Sequence, residues 1–375
     1  MLALDPLDIT YGANTLPLVL SAVTVVPFPS PSAANGTSSL ELMQHFQKHW
    51  VEIFDMPRSC EIIPLSQSYS HVRNTILTIT ACHLRHLAPD IPQHRVAEHF
   101  QQSLALQEYQ KALDTPLEAL GQPGVDALLV SAILLNILAF ALPSYEDVSH
   151  KDPDPTTSWV FSPREDRAGW LAMQAGLKPL LQATTKYLDK TLSFLATICF
   201  GLGHDKWEFV GVGEGLKQVP DTWIEVFELT SGECGCERGI LHHGAEGTES
   251  GKANDQERDR VGDVFRQPAK MLAELRTTVP TKASVFKYLQ FVAKLEPHFR
   301  ALLRDRDERA LWLFGYWLGL MSRYNGLWWC DKRVRRDYKA IHMWLDQLHL
   351  TDRRAKEGAM WKEMMVDLDS ACSFS

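Results

Sequence analysis

The sequence predicts an all-α protein, and three observations carry this prediction. From residue 40 onward, apolar residues recur at intervals of three and four positions, which is the spacing of one face of an α-helix. No convincing run alternates apolar and polar residues as a half-buried β-strand does. Apolar residues form 45% of the 375-residue chain and charged residues 22%, which is typical of a globular protein with a sizeable core.

Residues 1–39 are predicted to be an irregular lead-in. Their apolar stretch, Leu16 to Val26, is interrupted by Pro17 and followed by the loop-like sequence PFPSPSAANGTSS. A secretory signal peptide starts with a basic region, whereas the first basic residue here is Lys48. Secretion is therefore not expected. The seven cysteines, an odd number, favour buried thiols over a disulfide framework.

Three amphipathic helical segments are predicted between residues 38 and 114, the first of them capped by a serine. The apolar stripe of the first comprises Leu42, Phe46, Trp50 and Ile53. The stripe of the second comprises Ile76, Leu77, Thr80, Ala81, Leu84 and Leu87, and that of the third Val96, Phe100, Leu104 and Leu106. Each stripe is expected to face the core.

The segment from Val125 to Leu142 is the most apolar in the chain. Its 18 residues reach the length threshold of a membrane-spanning helix. It carries Asp126 and Asn136, however, and it lies between Pro123 and Pro143. A helix buried on all sides at the centre of a large helical domain is therefore preferred over a membrane span.

The remainder of the chain is predicted to be helical, with one long interruption. Glycine-rich, aperiodic sequence at about residues 231–263 is predicted to form a flexible loop. Helical spacing resumes at about Val264 and continues almost to the end. Residues 40–375 are accordingly interpreted as a single all-helical domain.

A basic and aromatic stretch, WWCDKRVRRDYKAIHMWL, runs from Trp328 to Leu345. One apolar helix face is predicted from the spacing of Val334, Tyr338, Ile341, Leu345 and Leu348. The basic residues fall mostly off this face, which predicts a solvated and partly ion-paired surface. A protein that grips nucleic acid over a wide face is usually basic. This chain has a net charge of −8, so direct DNA binding is not expected.

No sequence motif for a metal or a cofactor is found. The chain contains no P-loop, no G-x-S-x-G motif and no H-E-x-x-H motif. His83 and His86 lie three residues apart, but a zinc site needs three or four ligands. The C-G-C sequence at Cys234 and Cys236 lacks two further ligands at a defined spacing. The C-terminal CSFS places Cys372 where a prenylated cysteine would stand, without two aliphatic neighbours or a polybasic run to support it.

Asp126 and Asn136 are the polar residues of most interest, because they lie in the most apolar segment. Polar groups on such a helix must find hydrogen-bond partners or a polar cavity. A satisfied hydrogen bond between helices is the common outcome. The functional alternative is that both residues line a ligand pocket.

Five segments share their order and character with one known family. They are LELMQHFQKHW at 40–50, ILTITACHLRHLAPD at 76–90, DALLVSAILLNILAF at 126–140, GWLAMQAGLKPLL at 169–181, and ALWLFGYWLGL with WWCDKRVRRDYKAIHMWL between 310 and 345. Together they resemble the regulatory domain of fungal binuclear zinc-cluster transcription factors of the sterol-uptake-control type, over about 300 residues. The resemblance implies an all-helical domain that holds a hydrophobic ligand in an apolar pocket, controls transcription and pairs with a second such domain.

The chain departs from this family near its N-terminus. Family members carry a six-cysteine zinc cluster and a basic linker there, whereas here no cysteine precedes Cys60 and no basic residue precedes Lys48. The resemblance therefore implies a regulator-like protein of a fungal natural-product pathway, in the nucleus or the cytoplasm, without its own DNA-binding zinc cluster. A zinc cluster encoded upstream of Met1 is a further alternative.

The implied ligand is an apolar small molecule such as a sterol, a terpenoid or a polyketide. The implied protein partner is a second copy of the chain or a full-length transcription factor. The residues expected to bind the ligand are Leu135, Asn136, Phe140, Phe314, Trp317, Tyr324 and Trp328. No metal and no cofactor are expected.

An enzyme that uses the same apolar pocket is the second hypothesis, and the sequence leaves the choice open. A cofactor-independent cyclase, pericyclase (Diels–Alderase) or isomerase would fold a terpenoid or polyketide by shape and polarise it with one or two hydrogen bonds. The candidate polar groups for this chemistry are Asp126, Asn136, Tyr316, Tyr324 and Asn325.

Overall fold

A computed structural model of the chain describes most residues between 36 and 373. The described ranges are 36–54, 62–142, 153–162, 169–191, 216, 218–229, 264–281, 284–324 and 326–373. Within them all regular secondary structure is helical and no β-strand occurs, which confirms the predicted all-α class. The lead-in up to residue 35 and the predicted loop at 231–263, with Cys234 and Cys236, lie outside the described residues.

Fifteen α-helices lie within the described ranges. The first six are α1 (Ser39–Lys48), α2 (Trp50–Phe54), α3 (Ile62–Ser68), α4 (Ser70–Leu87), α5 (Pro92–Leu113) and α6 (Leu117–Phe140). The other nine are α7 (Gly169–Ala183), α8 (Thr185–Leu188), α9 (Asp221–Val226), α10 (264–277), α11 (Val285–Lys294), α12 (Pro297–Arg304), α13 (Glu308–Met321), α14 (Asp331–Gln347) and α15 (Ala355–Ser370). Short 3₁₀ turns occur at Pro155–Thr157 and Leu350–Asp352.

The first predicted stripe faces the core, but on two short helices rather than one. Ser38 Oγ accepts a hydrogen bond from the main-chain N–H of Glu41 at 3.2 Å and so caps α1, as predicted. Helix α1 ends at Lys48 and α2 begins at Trp50. All four stripe residues are nevertheless buried, namely Leu42, Phe46, Trp50 and Ile53.

Helices α4 and α5 form an antiparallel pair. Ser70, at the start of α4, donates a hydrogen bond to Glu108 near the end of α5 at 2.8 Å. Near the opposite ends of the two helices, Arg85 Nε lies 2.5 Å from Glu98 Oε2, and both side chains are buried. The Arg85 guanidinium also donates to the carbonyl oxygen of Leu142 at 3.1 Å. This ion pair therefore holds α4 and α5 against the chain that leaves α6.

The predicted apolar stripe of α5 is wrong for Val96 and Phe100, whereas Leu106 is buried as predicted. Val96 and Phe100, expected to face the core, are 43% and 36% exposed. The buried positions of this helix are His94, Ala97, Glu98, Gln101, Ala105, Leu106, Tyr109 and Ala112. Small side chains on this face let two helices approach closely, and Glu98 is buried because it pairs with Arg85. The spacing of large apolar residues indicates the adjacent face of α5, because it takes no account of small side chains at helix contacts or of buried ion pairs.

Helix α6 is the central core helix, as predicted. Every residue from 124 to 138 is buried, and so is Phe140. The helix is kinked near its start, where Gly121 has a φ of 62° that a residue with a side chain rarely adopts. One described helix, α6 itself, is long and apolar enough to cross a membrane, with a mean hydropathy of 1.9, but 83% of that window is buried inside the fold.

One continuous apolar core joins the early and late helices, from α1 to the residue that follows α15. Helix α13 is buried over the whole of 310–321. Its tryptophans are anchored by hydrogen bonds to the main chain. The indole N–H of Trp312 donates to the carbonyl oxygen of Met364 at 2.9 Å, and that of Trp317 donates to the carbonyl oxygen of Tyr288 at 2.8 Å.

The basic stretch of α14 is not the solvated surface that its spacing predicts. Arg333 and Arg336 are only 3% and 2% exposed, and Asp337 is fully buried. Arg336 Nε donates to Asp337 Oδ1 at 2.9 Å, and Ser158 Oγ donates to the same oxygen at 2.8 Å. Arg335 is 43% exposed, as predicted. The prediction fails for Arg333 because its partners include main-chain oxygens at the end of α6, far away in the sequence.

The cysteines within the described ranges are free thiols. Cys82 and Cys330 are buried, as predicted, and burial raises the pKa of both thiols. Cys372 is exposed at the C-terminal end. Its prenylation stays a prediction.

Candidate ligand-binding groove

An apolar groove lies between α6, α7 and α11, and the space of about 540 Å³ against its lining includes open solvent. Helix α6 contributes Ile133, Asn136, Ile137 and Phe140. These four positions follow the i, i+3, i+4, i+7 spacing that places side chains on one helix face. The most apolar segment of the chain therefore turns one stripe to the groove, while its other faces fill the core.

The two remaining walls come from α7 and α11. Helix α7 contributes Gln174 and Leu177, and α11 contributes Phe286, Leu289, Gln290 and Ala293. Gln174 and Ala293 are buried, whereas the other four of these residues are half-buried. The side of the groove formed by α11 and Leu177 is thus the side that borders solvent.

The lining of the groove is largely apolar and carries no charge. Seven of its ten residues have aliphatic or aromatic side chains, and the other three, Asn136, Gln174 and Gln290, are carboxamides. A carboxylate or an ammonium group would have no counter-charge there. Because an unpaired ion is costly to remove from water, the groove suits a neutral molecule.

Asn136 is the polar residue that α6 presents to the groove, and it is 8% exposed. Its Nδ2 donates to the carbonyl oxygen of Ala132 at 2.7 Å, and its own carbonyl oxygen accepts from Gln174 Nε2 at 2.9 Å. Its side-chain oxygen Oδ1 is buried and has no hydrogen-bond partner among the described residues. Asn136 therefore takes part in a hydrogen bond between α6 and α7, which is the more common of the two expected outcomes. The bond is made by its main-chain oxygen and not by its side chain.

The ring of Phe140, which lines the groove, packs among three tryptophans. It contacts Trp170, Trp317 and Trp329 edge-on, with centroid distances of 4.9, 5.8 and 5.8 Å. Its carbonyl oxygen accepts a hydrogen bond from Arg333 Nε at 2.7 Å. Both the ring and the main chain of Phe140 are thus held by the core.

The structure brings some of the predicted ligand-binding residues together. Asn136 and Phe140 line the groove. Leu135, Phe314 and Trp317 are buried in the core, where Trp317 contacts the Phe140 ring.

Tyr324 and Trp328 lie away from the residues that line the groove. The hydroxyl oxygen of Tyr324 is 2.6 Å from Ser284 Oγ. The indole N–H of Trp328 donates to the carbonyl oxygen of Ile53 at 2.9 Å and so connects this residue to α2. Asn325 lies outside the described residues.

Asp126 and Tyr316, the other catalytic candidates, occupy separate places with structural partners. Asp126 Oδ1 accepts hydrogen bonds from Gln122 Nε2 at 3.0 Å and from Thr191 Oγ1 at 2.8 Å. Tyr316 is fully buried, and burial raises the pKa of its hydroxyl. Of the polar groups considered for catalysis within the described residues, Asn136 is the one that lines the groove.

The α7 and α11 walls were missed by the sequence reasoning. Gln174 lies in the segment GWLAMQAGLKPLL, where a carboxamide between apolar residues could have indicated a polar point in a buried surface. Phe286, Leu289 and Ala293 repeat at helical spacing, which indicates an apolar face. No local signal says that this face meets α6.

A cluster of four histidines lies beside Trp328, outside the groove. His45 Nε2 is 3.0 Å from His83 Nδ1, and the His45 and His49 rings stack at 4.4 Å. The rings of His83 and His86 both contact Trp328. Burial, and then the neighbouring histidines, lower the pKa of His83 to about 4. No group of three or more His, Cys, Asp or Glu within the described ranges is arranged to hold a metal ion.

A second cleft lies between α9, α10 and α15, and the space of about 560 Å³ against its lining includes open solvent. It is more polar than the groove, but its charged groups hold one another. Arg276 lies 3.4 Å from Asp367 Oδ1, and Asp367 Oδ2 accepts the indole N–H of Trp223 at 2.8 Å.

The fold and the groove define an all-helical protein with a solvent-bordered apolar site. No family model, no curated protein and no solved structure matches the chain. A function must therefore be inferred from the residues of the groove and their surroundings.

Proposed function

We propose that this chain binds a neutral, largely apolar small molecule in the groove between α6, α7 and α11, and that it acts as a ligand-responsive regulator. The observation that carries the proposal is the uncharged lining of seven apolar side chains and three carboxamides. A sterol, a terpenoid or a polyketide, the ligands implied by the sequence resemblance, has the required chemistry.

The position of the groove suits regulation. Helices α6 and α7 come from the first half of the chain and α11 from the second. The Phe140 carbonyl oxygen connects the groove to Arg333 of α14. A ligand that binds one arrangement of α11 against α6 more tightly than another will shift the population toward that arrangement. The proposed output is a changed affinity for a protein partner.

The proposed partner is a second copy of the chain or a full-length transcription factor, in the nucleus or the cytoplasm of a cell that makes fungal natural products. Direct DNA contact is not part of the proposal. The chain has a net charge of −8, and Arg333 and Arg336 of α14 are buried. Buried guanidinium groups that are bonded within the protein are not available to phosphates.

A cofactor-independent cyclase, pericyclase or isomerase is the second candidate, and Asn136 is the observation that favours it. A fixed amide dipole in a water-poor site can stabilise developing charge in a substrate. A general acid or base, however, would need a titratable group within hydrogen-bond reach of the substrate. None of the ten lining residues titrates near neutral pH. Ligand binding is therefore preferred, and conversion of a bound terpenoid or polyketide to an isomer, seen by mass spectrometry and chromatography, would reverse that preference.

Isothermal titration calorimetry of the purified full chain with uncharged terpenoid and polyketide probes tests the proposal. The Leu177→Trp variant places a larger ring at the solvent-bordering side of the groove, where Leu177 is half-buried. It should weaken probe binding at least about tenfold, because the ring occupies ligand volume. Leu40→Trp is the matched control, since Leu40 is 70% exposed on α1, and it should bind as the unchanged protein does.

Two outcomes would contradict the proposal. If none of the uncharged probes binds, or if Leu177→Trp and Leu40→Trp bind equally well, the groove is not the ligand site. If the purified chain shifts a DNA fragment in a sequence-specific manner, the dependence on a protein partner is wrong.

A further inference from the structure

The side-chain oxygen of Asn136 is the unusual feature of the groove. Buried polar atoms are nearly always hydrogen-bonded, yet this Oδ1 is buried and no residue in the described part of the chain bonds to it. It belongs to a residue that is 8% exposed and lines the groove. An acceptor left in this condition costs free energy until a donor reaches it.

Among the described residues, none donates a hydrogen bond to the side-chain oxygen of Asn136 in this structure. Nδ2 is committed to the carbonyl oxygen of Ala132 at 2.7 Å, so the amide cannot turn over without placing oxygen against oxygen. The neighbouring amide of Gln174 uses its Nε2 to bond the main-chain oxygen of Asn136 at 2.9 Å. The hydrogen bond from Nδ2 to Ala132 therefore fixes the orientation of the side-chain amide and leaves Oδ1 without a donor.

We infer that the ligand of this groove is a neutral molecule with a hydroxyl group that donates a hydrogen bond to Asn136 Oδ1. The inference rests on the proposed function, because it names the class of molecule that the groove binds. An apolar alcohol satisfies both conditions, since its carbon skeleton covers the apolar lining and its O–H supplies the missing donor.

Related ligand classes are disfavoured for distinct reasons. A ketone or an ether presents only acceptor atoms, so its oxygen would face the oxygen of Asn136 without a hydrogen between them. A fatty acid would carry a carboxylate into a lining that offers no counter-charge. Sites that contain a buried hydrogen-bonding group discriminate strongly against analogues that lack the matching group.

Access to the oxygen requires movement of the outer wall. Asn136 Oδ1 has almost no exposed surface in this structure. Phe286, Leu289 and Gln290 of α11 are half-buried, so their side chains can move without opening the core. The alcohol enters as these side chains shift, and its hydroxyl then reaches Asn136.

The test compares farnesol, a fifteen-carbon alcohol, with its methyl ether, in which the hydroxyl hydrogen is replaced by a methyl group. Both are titrated calorimetrically into the purified full chain. Farnesol should bind at least about tenfold more tightly than the ether. In Asn136→Leu, which replaces the amide by an apolar group of similar size, this ratio should fall to about one, because farnesol loses affinity and the ether does not.

Asn74→Leu is the matched control, since Asn74 lies on α4 and is not part of the groove lining, and it should keep the full ratio. Folding of Asn136→Leu is checked separately by chemical denaturation. Its midpoint should equal or exceed that of the unchanged protein, because the substitution removes an unsatisfied buried acceptor.

The outcomes separate this inference from the proposed function. Equal affinities of the unchanged protein for alcohol and ether would overturn the hydroxyl requirement while leaving apolar ligand binding intact. A ratio that survives in Asn136→Leu would overturn the role of this residue. Failure of every uncharged probe to bind would contradict the proposed function and this inference together.

Discussion

Arg333 donates its Nε hydrogen to the carbonyl oxygen of Phe140 at 2.7 Å, and so joins residues that lie 193 positions apart. The same guanidinium donates to the carbonyl oxygens of Ala141 at 3.1 Å and Ala139 at 3.4 Å, and it stacks over the Trp170 ring at 5.0 Å. The last carbonyl groups of a helix have no partner within the helix and carry partial negative charge. Arg333 of α14 therefore closes the C-terminal end of α6, next to the groove.

Replacement of Arg333 by Met should destabilise the fold strongly. Methionine keeps an apolar stem but leaves the carbonyl groups of α6 without their donor. It also removes a positive charge 3.9 Å from the buried Asp337 carboxylate. Breaking a buried charged interaction of this kind costs about 3–5 kcal/mol. Guanidinium chloride denaturation should show this loss in the free energy of unfolding.

Arg335→Met is the matched control on the same helix. Arg335 is 43% exposed and pairs with Asp331 one turn away, and such surface pairs contribute only about 0–1 kcal/mol. The two variants remove the same chemical group. A difference in their free energies of unfolding therefore reflects the burial of each arginine and the partners that it binds. Equal, small losses in both would show that Arg333 does not close α6.

The stability of the protein should fall in mild acid because of two buried histidines. Burial is the main cause that lowers the pKa of His71 and of His83 from 6.5 to about 4. The unfolded chain binds protons near pH 6.5, whereas the folded chain resists them down to about pH 4. Protonation in this window therefore favours the unfolded state. The contribution of these residues is fully present above about pH 6.5 and is lost as the pH falls toward 4.

Denaturation curves at pH 7 and pH 4.5 measure this effect. Each histidine should account for about 1–2 kcal/mol of the decrease, after allowance for partial solvent screening. His71→Gln removes one titrating group, whose Nδ1 lies 2.8 Å from Ser131 Oγ, and should show a smaller decrease between the two pH values. His298→Gln, at an exposed residue of α12, should show the full decrease. An undiminished decrease in His71→Gln would argue against its lowered pKa.

Gly358→Ala should destabilise α15, although alanine is normally the better helix former by about 1 kcal/mol. A Cβ at this position would lie 2.5 Å from the carbonyl oxygen of Thr351 and 2.8 Å from that of Arg353. These are main-chain atoms, so no side-chain rotation relieves the contact. A loss of about 1–3 kcal/mol in the free energy of unfolding is expected.

Ala359→Gly is the control for helix propensity, because it makes the opposite exchange at the neighbouring, exposed position. It should cost about 0.5–1 kcal/mol through backbone entropy alone. Both exchanges should therefore destabilise the protein. A stabilised Gly358→Ala variant would show that the chain between α14 and α15 does not lie against this glycine.

Features of the fold that depend on local pattern were predictable from the sequence. The stripe Leu42, Phe46, Trp50 and Ile53 is buried, because periodic apolar residues on a helix have one favourable side. Helix α6 is buried on all sides because a run so rich in aliphatic residues has no polar face to give to water. The all-α class follows from such elements without any knowledge of their arrangement.

Features that depend on pairing between distant segments were not predictable. The burial of Arg333 requires the end of α6 as its partner, and sequence spacing on α14 cannot show this. The groove is equally non-local, since Asn136 was identified from its polarity within α6 whereas the α11 wall was not. A pocket becomes visible only when the packing of three helices is known.

Helix α5 provides the sharpest test of the structure against the sequence pattern. Phe100 and Leu106 both belong to the apolar stripe that spacing predicts, but Phe100 is 36% exposed and Leu106 is 9% exposed. Because part of the ring is already exposed to solvent, Phe100→Ala should cost only about 1–2 kcal/mol. Leu106→Ala should cost about 2–4 kcal/mol because it leaves a cavity. If Val96, Phe100 and Leu104 faced the core instead, Phe100→Ala would be the more damaging change, at about 3–5 kcal/mol. The order of the two free energies of unfolding, measured by urea denaturation at low protein concentration, therefore decides the register of α5.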